Sequence, residues 1–234
     1  MINNNKEVNG SVKNKKIKAV ISDMDGTLLD TERIYQKYWK MAADDLGYNI
    51  SAEQLLDIRS LGHSFSKEKF FEFTGDPEAS EKIRTRRREL MDPYMKTIDV
   101  PLKPHVKEAL AKLKEEGFYL AIATATTNLE ILEYYLESTG IKCYFDEIIS
   151  AVMVKEGKPS PDIYLYACEQ LGIDPKDGFA VEDSPNGVIS ASRAGLRVIM
   201  VPDITEPDES LKKYYEYRAD DLYKAAEYII KASE

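Results

Sequence analysis

Apolar positions along this chain fall into two rhythms. The short run Ile17-Lys-Ala-Val-Ile-Ser22 predicts a buried strand. Between residues 31 and 100 no clear β-run occurs. Charged and aromatic residues recur there at helical spacing, as at Ile34, Tyr38, Met41 and Ala42, and Pro77, Pro93, Pro101 and Pro104 punctuate the stretch. This pattern predicts an insert of about four helices over residues 31–100. From residue 101 onward helices and strands alternate. Val106, Leu110 and Leu113 recur at i, i+4 and i+7, and Gly117 ends that helix. Phe118 to Ala123 reads as a strand leading to Thr124, Leu129 to Thr139 as a helix closed by Gly140, and Ile148 and Ile149 as the centre of a short strand. Ser160 is the expected N-cap of a helix that begins at Pro161 and runs to about Leu171. Gly178 to Val181 predicts a strand ending on Glu182 and Asp183, followed by a helix to Ala194, a strand over Arg197 to Val201 and a terminal helix over residues 221–232.

Alternation of this kind argues an α/β fold, a parallel sheet covered by helices on both faces. The expected core is 17–30 together with 101–234, with 31–100 as the helical insert. Residues 1–16 are rich in Asn and Lys and lack the apolar segment of a signal peptide; they read as a disordered leader, with a cloning remnant as the alternative.

Composition narrows the function. The chain has 234 residues and is 43% hydrophobic, enough for a packed core. Its net charge of −9 disfavours a nucleic acid partner, though not a small anionic substrate, because the local field in a cleft outweighs the total. The two cysteines, Cys143 and Cys168, offer neither metal-ligand spacing nor a disulfide framework, which suits a reducing, cytoplasmic setting. No apolar stretch approaches membrane-spanning length.

The candidate chemistry lies at predicted strand ends, where open α/β sheets bind their ligands. Asp23 and Asp25 close the first strand two residues apart, so their side chains point the same way, with Gly26 directly after. Two carboxylates facing one volume repel unless a cation or a shared proton relieves them. An acidic turn is the plain alternative. Thr124, Ala125 and Thr126 end a second strand, Lys158 precedes a helix, and Glu182 and Asp183 end a further strand. Each has a structural explanation alone, as a cap, a solvated lysine or an acidic helix start; their joint placement favours a site.

These residues resemble the motifs of the haloacid dehalogenase superfamily of phosphohydrolases, in the branch of β-phosphoglucomutase and phosphoglycolate phosphatase. Asp23 to Thr27 fits the first motif, Thr124 the second, Lys158-Pro159 the third, and Glu182-Asp183-Ser184 with Asn186-Gly187 the fourth. The resemblance implies a Rossmann-like core, a helical cap and Mg²⁺-dependent phosphoryl transfer. It implies Asp23 as nucleophile, Asp25 as general acid and base, Thr124 as a hydrogen-bond donor to the phosphoryl group, and Lys158 as the cation that offsets its charge. The implied metal ligands are the Asp23 carboxylate, the Asp25 backbone carbonyl and Asp183, with Glu182 near or in the shell. Backbone N–H groups around Gly26 and Ala125 are candidates to receive phosphate. Thr27 and Asp30 are placed to shape the passage between core and insert, and Asp30 reads more readily as the cap of the first insert helix.

Departures from the branch matter. The mutase carries a histidine where this chain has Tyr35 and a lysine where it has Thr127, while Asn128 matches. Both departures favour hydrolysis of a phosphate monoester, a sugar phosphate first among them, over a mutase. A non-catalytic phosphate-binding protein is the reading of another class. Thr126 and Asn128 after the second strand, and in the insert Arg59 beside Gly62 and Arg86, counted back from Pro104, are the expected substrate contacts. The expected partner is a small phosphorylated metabolite, and the expected state a monomer.

Overall fold

A computed structural model of the chain describes residues 19–234. The predicted leader and residues 17 and 18 of the first predicted strand lie outside the described residues. The sheet has six parallel strands in the order β3-β2-β1-β4-β5-β6. These are β1 (Ala19–Ser22), β2 (Tyr119–Thr124), β3 (Glu147–Ser150), β4 (Gly178–Glu182), β5 (Arg197–Met200) and β6 (Tyr217–Arg218). The strand order reverses between β1 and β4, which creates the crevice beyond the strands' carboxyl ends where such sheets bind ligands. Alternation along β1 sorts its side chains: Val20 joins the core on one face and Ile21 the core on the other.

Helices cover both faces. α5 (Val106–Glu115), α6 (Leu129–Thr139) and α9 (Leu222–Lys231) pack on Val20, Leu120, Ile122 and Val181. α7 (Asp162–Leu171) and α8 (Pro185–Ala194) pack on Ile21, Ala121, Ala180 and Val198. Four further helices stand between β1 and α5 among the described residues: α1 (Glu32–Asp45), α2 (Ala52–Leu56), α3 (His63–Thr74) and α4 (Ala79–Met95). Their facing apolar residues, Ala42, Ile50, Leu55, Ile58, Phe70 and Ile83 among them, form a small core of their own. This insert meets the sheet's crevice through the loop after α2, where the Gly62 N–H donates to the Lys158 carbonyl at 2.7 Å.

Four local expectations need correction. Pro161, not Ser160, is the N-cap of α7, and the Ser160 hydroxyl donates to Asp162 Oδ1 at 2.6 Å. Pro93 lies within the last turn of α4 instead of ending a helix. Thr31, not Asp30, precedes α1, and its hydroxyl is drawn from the helix end to the buried Asp25 carboxylate. Asp30 instead faces Lys103 at 3.5 Å. The two-residue strand β6 has both side chains exposed, so it leaves no apolar run in the sequence. No helix is long and apolar enough to cross a membrane among the described residues.

Candidate active site

Strand register assembles the centre. The β1–β4 ladder continues one residue past β1, with the Asp23 N–H donating to the Val181 carbonyl at 2.9 Å. Since Ser22 pairs with Val181, Asp23 comes level with Glu182, and Asp183 follows directly. The three acids offer ligand oxygens within 4.8 Å of one another, and all three are buried. Between them stands Lys158, 1% exposed, whose ammonium donates to Asp23 Oδ1, to Glu182 Oε1 at 2.6 Å and to the Ala123 carbonyl at 2.9 Å. Burial pulls that ammonium's pKa down, and the carboxylates of Asp23 and Glu182 together overcome it, so it stays protonated.

The acids have different duties. Glu182 is engaged on both oxygens: Oε1 also accepts from the Tyr164 hydroxyl at 2.6 Å, and Oε2 from Ser184 Oγ at 3.3 Å. Gly187 makes room for it, since a Cβ there would lie 1.9 Å from Glu182 Oε1. Asp23 Oδ2 and Asp183 Oδ2, in contrast, are buried without a hydrogen-bond partner. Burial raises Asp23 well above the ordinary carboxylate range and raises Asp183 to about 7, with the neighbouring acids adding to both. Two lone buried oxygens beside a third carboxylate form an all-oxygen donor set, which fits a hard divalent cation.

Asp25 is held by two hydroxyls. Thr31 Oγ1 donates to its Oδ1 at 2.6 Å and Thr126 Oγ1 to its Oδ2 at 3.0 Å. Burial still raises its pKa against those bonds. Thr124 is fully buried, and its Oγ1 accepts from the Thr126 N–H at 3.1 Å, which leaves its own hydroxyl proton free to donate. Ala125 lines the same pocket as Asp23 and Asp25.

Several expected contacts are used otherwise. The Gly26 N–H does not await phosphate: it donates to the Leu29 carbonyl at 2.8 Å, closing the turn. At φ +88°, and with a Cβ there set to lie 2.5 Å from Asp183 Oδ2, Gly26 serves the site by being small. Asn128 lines the pocket, but its Oδ1 caps α6 and its Nδ2 donates to Asp92 at 2.9 Å. Arg59 enters the site from the insert. Its Nη2 donates to the Asp183 carbonyl at 3.2 Å and to Thr205 Oγ1 at 3.1 Å, and its Nη1 lies 3.9 Å from Asp183 Oδ2. Arg86 is the clear correction. It points away from the pocket and pairs with Asp45 at 2.8 Å and Glu89 at 3.0 Å.

Sequence reasoning missed the arginines that do line the pocket, Arg84, Arg87 and Arg88. The apolar phase of α4 was the available signal, since Ile83, Arg87, Met91 and Met95 form its buried face at steps of four. It also missed Glu32, 5% exposed in the first turn of α1 and lining the pocket; burial and then Asp183 raise its pKa, while Arg59 opposes. Tyr164, the partner of Glu182, carried no sequence signal beyond an apolar helix face.

The model of one protein family, described as haloacid dehalogenase-like hydrolase, matches residues 20–201. Protein CbbY of Rhodobacter capsulatus is 33% identical over 223 residues, covering 92% of this chain and 93% of that protein. Hexitol phosphatase B of Escherichia coli K12 is 32% identical over 195 residues, covering 80% of this chain and 85% of that one. Among solved structures, CbbY from Rhodobacter sphaeroides in complex with xylulose-1,5-bisphosphate superposes with a TM-score of 0.73 at 28% identity, covering 89% of this chain and 96% of that one.

Proposed function

This chain belongs to the haloacid dehalogenase-like hydrolases, and from that premise we propose that it is a Mg²⁺-dependent phosphatase acting on a small phosphate monoester, a phosphorylated sugar first among them. One observation carries the reading: Asp23, Lys158 and Asp183, from three separate stretches of chain, meet at one buried spot with two carboxylate oxygens still unpartnered. The names of the relatives, hexitol phosphatase among them, and the sugar bisphosphate in the CbbY complex support the substrate class.

Asp23 and Asp183 would hold the ion, with the Asp25 carbonyl implied by the family; Glu182, already engaged on both oxygens, holds Lys158 instead. When bound, Mg²⁺ supplies positive charge to the phosphoryl oxygens. The remaining chemistry belongs to the chain. Asp23, its carboxylate oriented by the Lys158 bond to Oδ1, attacks phosphorus while the bond to the leaving oxygen breaks. Asp25, with its pKa raised by burial, delivers its proton to that oxygen. A water then attacks the aspartyl-phosphate, Asp25 takes the water's proton, and Asp23 is regenerated as phosphate leaves. Thr124 donates to the phosphoryl oxygens, and Lys158, its three N–H donors held by Asp23, Glu182 and Ala123, offsets their charge from beside Asp23. The insert acts as a cap that excludes bulk water, with Arg59 reaching across to Asp183. Tyr35 and Thr127, in place of the mutase histidine and lysine, leave water as the simplest acceptor. A cytoplasmic setting, consistent with two free thiols, and a monomeric state complete the proposal.

The test is phosphate release from p-nitrophenyl phosphate and hexose phosphates, with Mg²⁺ and with chelator. Asp23→Asn is expected to lose at least about 10⁴-fold in turnover while keeping its circular dichroism spectrum. Parental activity in that variant removes Asp23 as nucleophile.

A further inference from the structure

Two residues of one anchored segment meet the same acid. Lys158 and Tyr164 stand on either side of the start of α7, and the loop between them is pinned to α8. Ser190 Oγ donates to the Ser160 carbonyl at 2.5 Å, and Arg193 Nη1 to the Pro159 carbonyl at 3.0 Å. Tyr164 is fully buried in the core that holds Ile21, Ala121 and Ala180. Its hydroxyl donates to Glu182 Oε1 at 2.6 Å. The Lys158 ammonium donates to that same oxygen at 2.6 Å and lies 5.3 Å from the Tyr164 ring centre. The other oxygen, Oε2, receives Ser184 alone among the described residues, its hydroxyl at 3.3 Å and its N–H at 3.5 Å. Burial, with Glu182 adding to it, raises the pKa of the phenol, so the hydroxyl keeps its proton and stays a donor.

A buried phenol needs an acceptor, and any backbone carbonyl would serve. Placing both strong donors on one carboxylate oxygen does more than satisfy the phenol. The ammonium spends its three N–H bonds on Asp23 Oδ1, Glu182 Oε1 and the Ala123 carbonyl. It has no fourth to give, so only the balance among these acceptors can shift. Two of them are carboxylates that compete for one cation, and only Asp23 reacts. The O–H dipole of Tyr164 offsets part of the negative charge on Oε1. That weakens the pull of Glu182 on the ammonium and leaves the larger share to Asp23.

We propose that Tyr164 is a positioning residue: by loading the Glu182 oxygen that faces Lys158, it leans the ammonium toward Asp23 and so holds the attacking carboxylate in its reactive orientation. The hydroxyl touches no reacting atom and acts through Glu182 and Lys158 in turn. This inference rests on the phosphatase reading for its effect on turnover, but not for the leaning itself.

Tyr164→Phe is the direct test, since it keeps the ring beside Lys158 and removes the hydroxyl alone. The first measurement is a double-mutant cycle in urea with Asp23→Asn. No hydrogen bond joins Tyr164 to Asp23 among the described residues, so a merely structural hydroxyl would act on stability independently of Asp23. Tyr164→Phe is expected to raise the unfolding constant at least about threefold more in the wild type than in Asp23→Asn, because only a carboxylate at that position loses its share of the ammonium. The second measurement is turnover of p-nitrophenyl phosphate with Mg²⁺. There kcat should fall about tenfold, the scale of one hydrogen bond to a charged group, while KM stays as it is. Tyr166→Phe, a half-buried control on the same helix, should move neither the unfolding difference nor the kinetics. Should Tyr164→Phe fail to fold, Tyr164→Met, which fills the space with an apolar chain, carries the same cycle. Equal effects of Tyr164→Phe in the two backgrounds, wild-type kcat in that variant, or a loss confined to KM overturns the positioning role and leaves the phosphatase. A coupled cycle in a chain that turns over no ester upholds the leaning and removes the phosphatase reading instead.

Discussion

The end of the sheet and the wall of the insert both bury positive charge, and they treat it in opposite ways. At the sheet, Lys158 meets two carboxylates and a carbonyl, each fixed by strand register or by a neighbouring hydroxyl. In the insert, Arg87 meets two aromatic rings and Arg84 and Arg88 meet hydroxyls, with no acid in salt-bridge range among the described residues. Charge at the sheet is thus internally compensated, and removing one partner strands the others. Arg84, Arg87 and Arg88 have no ion pair among the described residues, and Asp25 and Glu81 act on Arg87 and Arg84 only at longer range, so removing Arg87 breaks no hydrogen-bonded charge pair. A buried cation stabilises the fold in the first setting and strains it in the second.

Substitutions can break or sharpen that contrast. Lys158→Met leaves Asp23 and Glu182 buried without a counter-ion, and unfolding in urea should show a loss of about 3–5 kcal/mol at neutral pH. A loss below that would mean the lysine is not what compensates these acids. Gly187→Ala strikes the same network through packing. Its methyl displaces the Glu182 carboxylate, and an unfolding titration should register about 1–3 kcal/mol. Arg87→Met should move the other way, holding or raising stability by up to about 1 kcal/mol in the absence of ligand; a substantial loss would show that ring contacts alone suffice to stabilise that guanidinium.

The smallest effect concerns a half-buried acid of the insert that is well partnered. Tyr48 donates to Asp76 Oδ2 at 2.5 Å and the Glu78 N–H to its Oδ1 at 2.8 Å, which lowers its pKa to about 2. A folded pKa below the ordinary 3.8 means the stabilisation is complete above that value and fades as pH falls toward about 2. The gap in melting temperature between wild type and Asp76→Ala should therefore be constant from pH 7 to 5 and shrink below pH 4. A gap that widens on acidification would contradict the assignment.

The same two regions differ in how much of them the sequence discloses. Strand ends are legible because the strand's two-residue period fixes which side chains point together, and because Asp23, Thr124 and Glu182 each close an apolar run. The insert is less legible because a helix turns by about 100° per residue, so an error of one position moves a side chain off its face. That is how Arg86 came to be expected in place of Arg87. Glu32 is hidden for another reason: an acid in the first turn of a helix is ordinary, and only the path of the chain after Asp25 carries it back over Asp183. Gly26 shows the limit of motif reasoning. Its place after the acids suggests a phosphate-binding amide, yet the tight turn claims that N–H for Leu29.

Lys158 is gripped from two directions. Its ammonium is fixed by the acids of the core, while its own carbonyl receives the amide of Gly62 from the insert. The aim of the cation and the seating of the insert are therefore a single degree of freedom: to tilt the insert is to tug the peptide from which that charge is suspended.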